Sequence, residues 1–375
     1  MLCMIPLYMV TPTRRGASEK RDYGSKGGCT VAIGMRDVAK KAGVSPSTVS
    51  LVVNQAGYVS DAMRAKVERA MEELNYVPNE LARNLYHDRT NMVGVIVPTI
   101  RHPFFSSLSA SLQHVFMQHG LRTLLCSTVD AETGEAKYVD MARRHMMDGL
   151  VVAAHSAHSE RYWTSIGRPI VAFDRYLADG IASVGSDHEQ GGMMIAQLLI
   201  PSGVRHVVMV GGPLSQFHDM PIASGTTFPT VGYFMALQRE CLRAAVRCDY
   251  VEAGTVSDMS AYAQAIHDVF SRWDDVDAVV SSDIGAAYCV QEALRRGVSI
   301  PRDLQVVAYD GTYLADFAGM RLTAVRQDCD GIAAVIATHM LDGIEHDSNG
   351  GDDGLRRPRR DVVPVTLVRG ETTRA

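Results

Sequence analysis

The run "VSPSTVSLVVN", Val44–Asn54, can be read as two different elements. Its core, TVSLVV, is β-branched and partly alternating, which suits a strand. A helix fits as well. Ser45 would be the N-cap, accepting a bond from a free first-turn N–H. Pro46 would sit at N1, where its missing N–H costs nothing. Val49, Val52 and Val53 would then share one face, leaving Ser47, Thr48, Ser50 and Leu51 pointing elsewhere. The neighbours decide.

Upstream, "MRDVAKKAG" places Met35, Val38, Ala39 and Ala42 at i, i+3, i+4, i+7, a helix with one apolar stripe ending where a C′ glycine, Gly43, belongs. Ser45 would open the next helix almost at once, and two short helices joined by a Gly-containing turn make a helix-turn-helix. Downstream, Ser60 can cap a third helix whose stripe is Met63, Val67, Ala70, Met71 and Leu74. Three short helices close a small but feasible core. With the valines turned inward, the first turn of the second helix points out. Ser45, Ser47, Thr48 and Ser50 can then donate to phosphates or base edges, and Leu51 can touch a thymine methyl. The blander reading is that these hydroxyls only cap and solubilise a helix; the flanking helices favour DNA.

The series "DVA", "AGVS", "TVS", "VVN", "LNYVPN" within residues 35–85 resembles, without a gap, the headpiece of the lactose-repressor (LacI/GalR) family of bacterial transcription regulators. The resemblance implies a DNA-reading set of Ser45, Pro46, Ser47, Thr48, Ser50, Leu51 and Asn54. It also implies a hinge helix after Pro78, capped by Asn79, with small Ala82 at the contact with its twin in a second subunit. Leu85 would wedge into the minor groove, as apolar side chains that kink duplexes do. One departure matters: many members carry arginine where this chain has Leu51, which cannot donate to guanine.

From residue 91 the pattern changes. "MVGVIVP", "LRTLLCST", "LVVAA", "PIVAFD", "HVVMVGG", "AVVSSD" and "LQVVAYD" read as buried strands alternating with helical stretches such as "FFSSLSASLQHVFMQHG" and "EAKYVDMARRHMMDG". That alternation predicts doubly wound parallel sheets. The length predicts two lobes with a cleft. Ligands in such folds bind beyond the carboxyl ends of strands. That rule selects His102, Phe104, Phe105, Asp174, Arg175, Ser282, Asp283, Tyr309 and Asp310: aromatic faces, carboxylates and an arginine, suited to a polyhydroxylated ligand. Asp283 could equally be a structural helix cap; for Asp310 a cap is the lesser alternative.

The body resembles the family's effector domain and, through it, periplasmic ribose-binding proteins. This implies a sugar or sugar derivative at His102 to Phe105, Asp174–Arg175, Ser282–Asp283, Tyr309 to Thr312 and Gln327. Three departures stand out. His102 and Ser282 replace frequent asparagines, and Pro229 occupies the place of an arginine before Gly232, removing a charge-assisted clamp.

Bulk properties bound the rest. The chain has 375 residues with 46% hydrophobic and 21% charged, which allows two or three soluble domains. No run is apolar for 18 residues, so no membrane span is expected. Residues 1–34 lack the marks of a secretory signal and read as an unstructured extension, or as an upstream start with Met35 near the functional beginning. Seven scattered cysteines without C-x-x-C fit neither a disulfide framework nor zinc, but do fit a reduced cytoplasm. Net charge is −5, divided as +3 over residues 1–34, +1 over 35–90 and −9 beyond, an asymmetry compatible with a DNA-binding front.

His155 and His158 are three apart, but no further ligand cluster supports a metal. There is no Walker A, G-x-G-x-x-G or G-x-S-x-G pattern and no catalytic set. No leucine heptad follows "LVRGETTRA", so the tetramerising tail of some relatives is not expected. The expected protein is a cytoplasmic, dimeric, non-enzymatic regulator without cofactor. Its domains are expected at 1–34 (extension), 35–77 (helix-turn-helix headpiece), 78–90 (hinge) and 91–375 (two-lobed α/β effector body resembling periplasmic binding proteins). Its partners would be operator DNA and a small sugar-like effector. The alternatives are a sugar-binding transport component and, behind it, a sugar-processing enzyme.

Overall fold

The computed structural model describes residues 33–54, 56–78, 89–128, 134–153, 158–218, 226–348 and 360–374. The chain divides into two compact units, Met1–Asn79 and Glu80–Ala375.

The first unit holds three helices: α1 (Met35–Ala42), α2 (Pro46–Val53) and α3 (Asp61–Glu73). α1 stops at Gly43, whose φ of 67° is left-handed and free of strain only without a Cβ. The ambiguous stretch is helical. The Ser45 hydroxyl accepts from the Thr48 N–H at 3.1 Å, and Pro46 occupies the first turn. Local capping and a partner surface for the valines outweigh the β-branched composition. Val38, Ala39, Val49, Val52, Val67 and Ala70 form the core. Ser60 holds the N-cap position of α3, but its side chain makes no capping bond, contrary to expectation. Its carbonyl takes the first-turn amides of Met63 and Arg64 instead.

The second unit carries two six-stranded sheets. The first contains β1 (Met92–Val97), β2 (Arg122–Ser127), β3 (Gly149–Val152), β4 (Ile170–Phe173), β5 (Ala182–Ser186) and β11 (Arg360–Val363), in the order β11-β5-β4-β3-β1-β2. The second contains β6 (His206–Gly211), β7 (Arg247–Glu252), β8 (Ala278–Ser282), β9 (Gln305–Asp310), β10 (Thr323–Gln327) and β12 (Val365–Val368), in the order β12-β10-β9-β8-β6-β7. All pairs are parallel except β10 with β12. The intervening helices are α4 (Pro103–Gln118), α5 (Ala136–Arg143), α6 (Glu160–Thr164), α7 (His188–Leu199), α8 (Gly232–Arg243), α9 (Met259–Arg272), α10 (Asp283–Arg296), α11 (Leu314–Phe317) and α12 (Cys329–Ser348). These are the two doubly wound lobes read from the strand pattern. α5 is shorter than the stretch read as helical, EAKYVDMARRHMMDG; past it, His145 has a left-handed φ of +59°.

The chain passes between the lobes three times: from β5 into α7, from β10 into α12, and from β11 to β12. Each crossing helix serves the lobe it enters. Ile195, Ala196 and Leu199 of α7 pack with Val207 and Met209 of β6. Ile332, Ile336 and Met340 of α12 pack with Val93 and Val95 of β1. α7 lies very close to α8: a Cβ on Gly192 would fall 2.3 Å from the Tyr233 carbonyl oxygen, so only glycine permits this approach.

Candidate functional site

In the first unit, inward-facing Val49 and Val52 of α2 leave its opposite side in water. Ser45, Pro46, Ser47 and Leu51 are exposed; Thr48, Ser50 and Asn54 are half-exposed. Local bonds hold this face. The Ser45 and Thr48 hydroxyls lie 2.9 Å apart, and the Asn54 amide donates to the Ser50 hydroxyl at 3.2 Å. Ser47 and Leu51 therefore offer the freest side chains, one polar and one apolar. Tyr58, 94% exposed just after the positive-φ Gly57, was overlooked in the sequence. A tyrosine ring left in water beside such a face can stack on sugar or donate to phosphate. Asn79, Ala82 and Leu85 lie outside the described residues.

In the second unit a cavity lies where the carboxyl ends of both sheets face each other. Its volume is about 100 Å³. The first lobe contributes His102, Phe104 and Phe105 from the start of α4, and Asp174 after β4. The second contributes Ser282 from the end of β8, Tyr309 and Asp310 from the end of β9, and Gln327 from the end of β10. These eight candidates are thus gathered around one space. Two others are not. Arg175 is buried but not among the lining residues, its guanidinium 3.9 Å from the centre of the lining Phe228 ring. The buried carboxylate of Asp283 accepts from the backbone of Gly311 at 3.0 Å and from Thr312 N and Oγ1, both at 2.6 Å. It anchors the loop after β9 rather than facing a ligand. Thr312 is likewise spent on that anchor.

Two hydrogen-bonded chains run from the cavity wall to the interlobe crossings. In one, His188 lies 2.9 Å from Asp174 Oδ1 through Nε2 and 2.7 Å from the Tyr309 hydroxyl through Nδ1. In the other, Gln327 donates to Asp310 Oδ1 at 2.7 Å, and its carbonyl oxygen accepts from Ser186 at 2.7 Å. Burial sets the protonation states. It pulls the His102 pKa down to about 4, leaving the ring neutral. It pushes Asp283 up to about 6, against the pull of its hydrogen bonds. It raises Asp310 well above the usual carboxylate range, helped by the nearby Asp283 and Asp174 charges. Burial there favours the protonated carboxyl group over the carboxylate.

Much of the wall was not foreseen. Phe228, Tyr233, Phe234, Tyr250 and Tyr262 line the second lobe's side. Gly211, at the end of β6, makes room for two of them, since a Cβ there would fall 2.6 Å from both Phe234 Cζ and Tyr250 Oη. The strand-end rule could have marked Gly211–Gly212 as wall, but nothing in the α8 pattern showed which edge of that helix borders the cleft.

His158 pairs with the buried Glu135 and stacks on Tyr162; His155 lies outside the described residues. Among the described residues no group of three or more metal-type side chains converges. No helix among them is long and apolar enough to cross a membrane.

Residues 34–79 match the model of "Bacterial regulatory proteins, lacI family", and residues 196–373 that of "Periplasmic binding protein-like domain". The chain is 30% identical to the sucrose operon repressor of Streptococcus mutans, over 90% of this chain and 98% of that one. It is 30% identical to the ribose operon repressor of Halalkalibacterium halodurans, over 91% and 97%. The lac repressor dimer bound to operator and the anti-inducer ONPF shares its fold, with a TM-score of 0.72 and 23% identity over 92% of this chain and 99% of that one. So does the transcriptional regulator CelR in complex with cellobiose, with a TM-score of 0.63 and 23% identity over 91% and 99%.

Proposed function

The chain belongs to the lacI family of bacterial regulatory proteins, DNA-binding transcription regulators, and from this premise we propose how it works. Two subunits bind a pseudo-palindromic operator, because two-fold protein symmetry calls for two half-sites. α2 enters the major groove with Ser45, Pro46, Ser47, Thr48, Ser50, Leu51 and Asn54. The segment with Asn79, Ala82 and Leu85 pairs with its twin over the minor groove. The regulator is a repressor, and its effector is a small sugar or sugar derivative. That effector occupies the cavity lined by His102, Phe104, Phe105, Asp174, Ser282, Asp310 and Gln327, and it shifts operator affinity by its differential affinity for two lobe arrangements.

One observation carries this reading: a helix with an exposed polar first turn and a two-lobed body with a cavity lined from both lobes occur in the same chain. Relatives named for sucrose and ribose operons support the sugar class. The test is selection of bound duplexes from random DNA by the full chain, at two salt concentrations, with and without mono- and disaccharides. A two-fold-symmetric site whose occupancy falls with salt and changes with one sugar is expected. No enrichment under any condition would overturn the reading.

A further inference from the structure

The cavity has a definite electrostatic character. Among the described residues, nine of its 21 lining residues are Phe or Tyr, two are Asp, and none is Lys or Arg. Arg175 is stacked on the wall residue Phe228 and does not itself line the cavity. The other carboxylates of the region have polar or cationic company. Arg326, which donates to the Gly311 carbonyl at 3.0 Å, offsets Asp283, and His188 faces Asp174. Asp310 has only the neutral amide of Gln327 as its hydrogen-bond donor among the described residues.

Ring faces are the negative side of their quadrupoles and attract cations within about 6 Å of the ring centre. A carboxylate inside such a cage forms its strongest hydrogen bonds with a charged donor. An anionic ligand would meet two carboxyl groups and no countercharge. A neutral ligand would leave Asp310 as a buried acid. A cation alone satisfies both features of the wall. We propose that the effector carries a protonated amine, seated against Asp310 and Asp174 within the aromatic wall. This rests on the cavity being the effector site.

The titratable groups facing Asp310 among the described residues are Asp174, Asp283, Tyr233, Tyr262, Tyr309 and Cys329. All are acids or neutral, so none supplies a positive charge in the ligand's absence. An incoming ammonium group therefore lets Asp310 ionise, and its proton leaves to solvent.

Calorimetric titration of the full chain tests this with two matched pairs: D-glucosamine against D-glucose, and 2-phenylethylamine against 2-phenylethanol. D-glucose 6-phosphate serves as the anionic probe. At pH 7 at least one amine is expected to bind tenfold or more tighter than its neutral partner. Titration in two buffers of different ionisation enthalpy should show close to one proton released. Asp310→Asn, folded by its thermal transition, should erase the preference. Should that variant not fold, the wild-type proton count decides. Equal binding of the neutral partner, binding of the phosphate, binding of no probe, or no proton release would each overturn the proposal. Amine binding that leaves DNA occupancy unchanged would sink the cavity as the effector site, and the cavity would stand as an amine-binding site without a regulatory role. A neutral sugar that changes DNA occupancy would do the reverse.

Discussion

His102 caps α4 through its own ring, Nδ1 accepting from the Phe104 N–H at 3.4 Å, a role open only to the neutral imidazole. Its pKa, about 4 when folded against 6.5 for the free side chain, makes it a source of acid sensitivity. The unfolded chain takes up the proton first as pH falls. This contribution is therefore complete above about 6.5 and is lost progressively down to about 4. Asp283, raised to about 6, works in the opposite sense, losing stability as pH rises from about 4 to 6. The wild-type profile alone would mix the two. The difference between wild type and His102→Asn isolates His102, since asparagine also caps. Urea unfolding should show that difference shifting against the wild type by on the order of 2–3 kcal/mol between pH 7 and pH 4; a constant difference would refute it. Sequence comparison marked this position as a departure, but its burial came only with the packing of α4. Leu51 was readable in full: exposed, apolar and on the reading face. Leu51→Arg should raise preference for guanine at one position of each half-site, a gain of roughly 1–3 kcal/mol, seen as a changed logo in selection from random DNA. An unchanged logo would mean that α2 does not read bases there.

At the scale of elements, α2 shows how context settles an ambiguous string. Its composition allowed a strand, and its cap and the helices on either side made it a helix. Ser45→Ala removes the acceptor for the Thr48 N–H and should destabilise the three-helix unit by about 1 kcal/mol. Amide exchange in residues 46–53 would report this as faster opening; unchanged exchange would show that the cap adds nothing. α7 and α8 test the opposite quantity, closeness. Gly192→Ala pushes a methyl group into the Tyr233 backbone, which cannot swing aside as a flexible side chain would. A loss of about 1–3 kcal/mol in the body's unfolding is expected, read from its thermal transition, and a neutral outcome would mean the helices can slide apart. The contact also explains what the sequence could not reveal. An amphipathic stripe tells which side of α8 is buried, but not that Tyr233 and Phe234 lie at the border between core and cavity.

For the whole molecule, strand runs and helix stripes were enough to give two lobes, and the strand-end rule gathered seven of the expected ligand residues around one space. It failed for Arg175 and Asp283, which also follow strand ends. The rule locates a rim but cannot say which rim residues are consumed by their own neighbours. Two subunits acting together make a further expectation: a single half-site should bind far more weakly than the paired site, and shifting the half-site spacing by half a helical turn should abolish the advantage. Gel-shift titration on the two spacings checks this, and equal affinity would rule out a two-fold complex.

The three crossings between the lobes also impose an order of events on the ribosome. β11, which closes the first sheet beside β5, and α12, which covers its face, are encoded some 140–180 residues after β5. The lobe that begins first is thus completed almost last. The three-helix unit can form as soon as it emerges, because all its contacts are local. The first sheet must instead wait with a strand edge and an apolar face uncovered while most of the second lobe is translated. Exposure of that kind recruits chaperones and favours aggregation. A chain halted before residue 329 would hold neither finished lobe, and the yield of this protein in a cell should depend on elongation through its last fifty residues more than its thermodynamic stability alone would suggest.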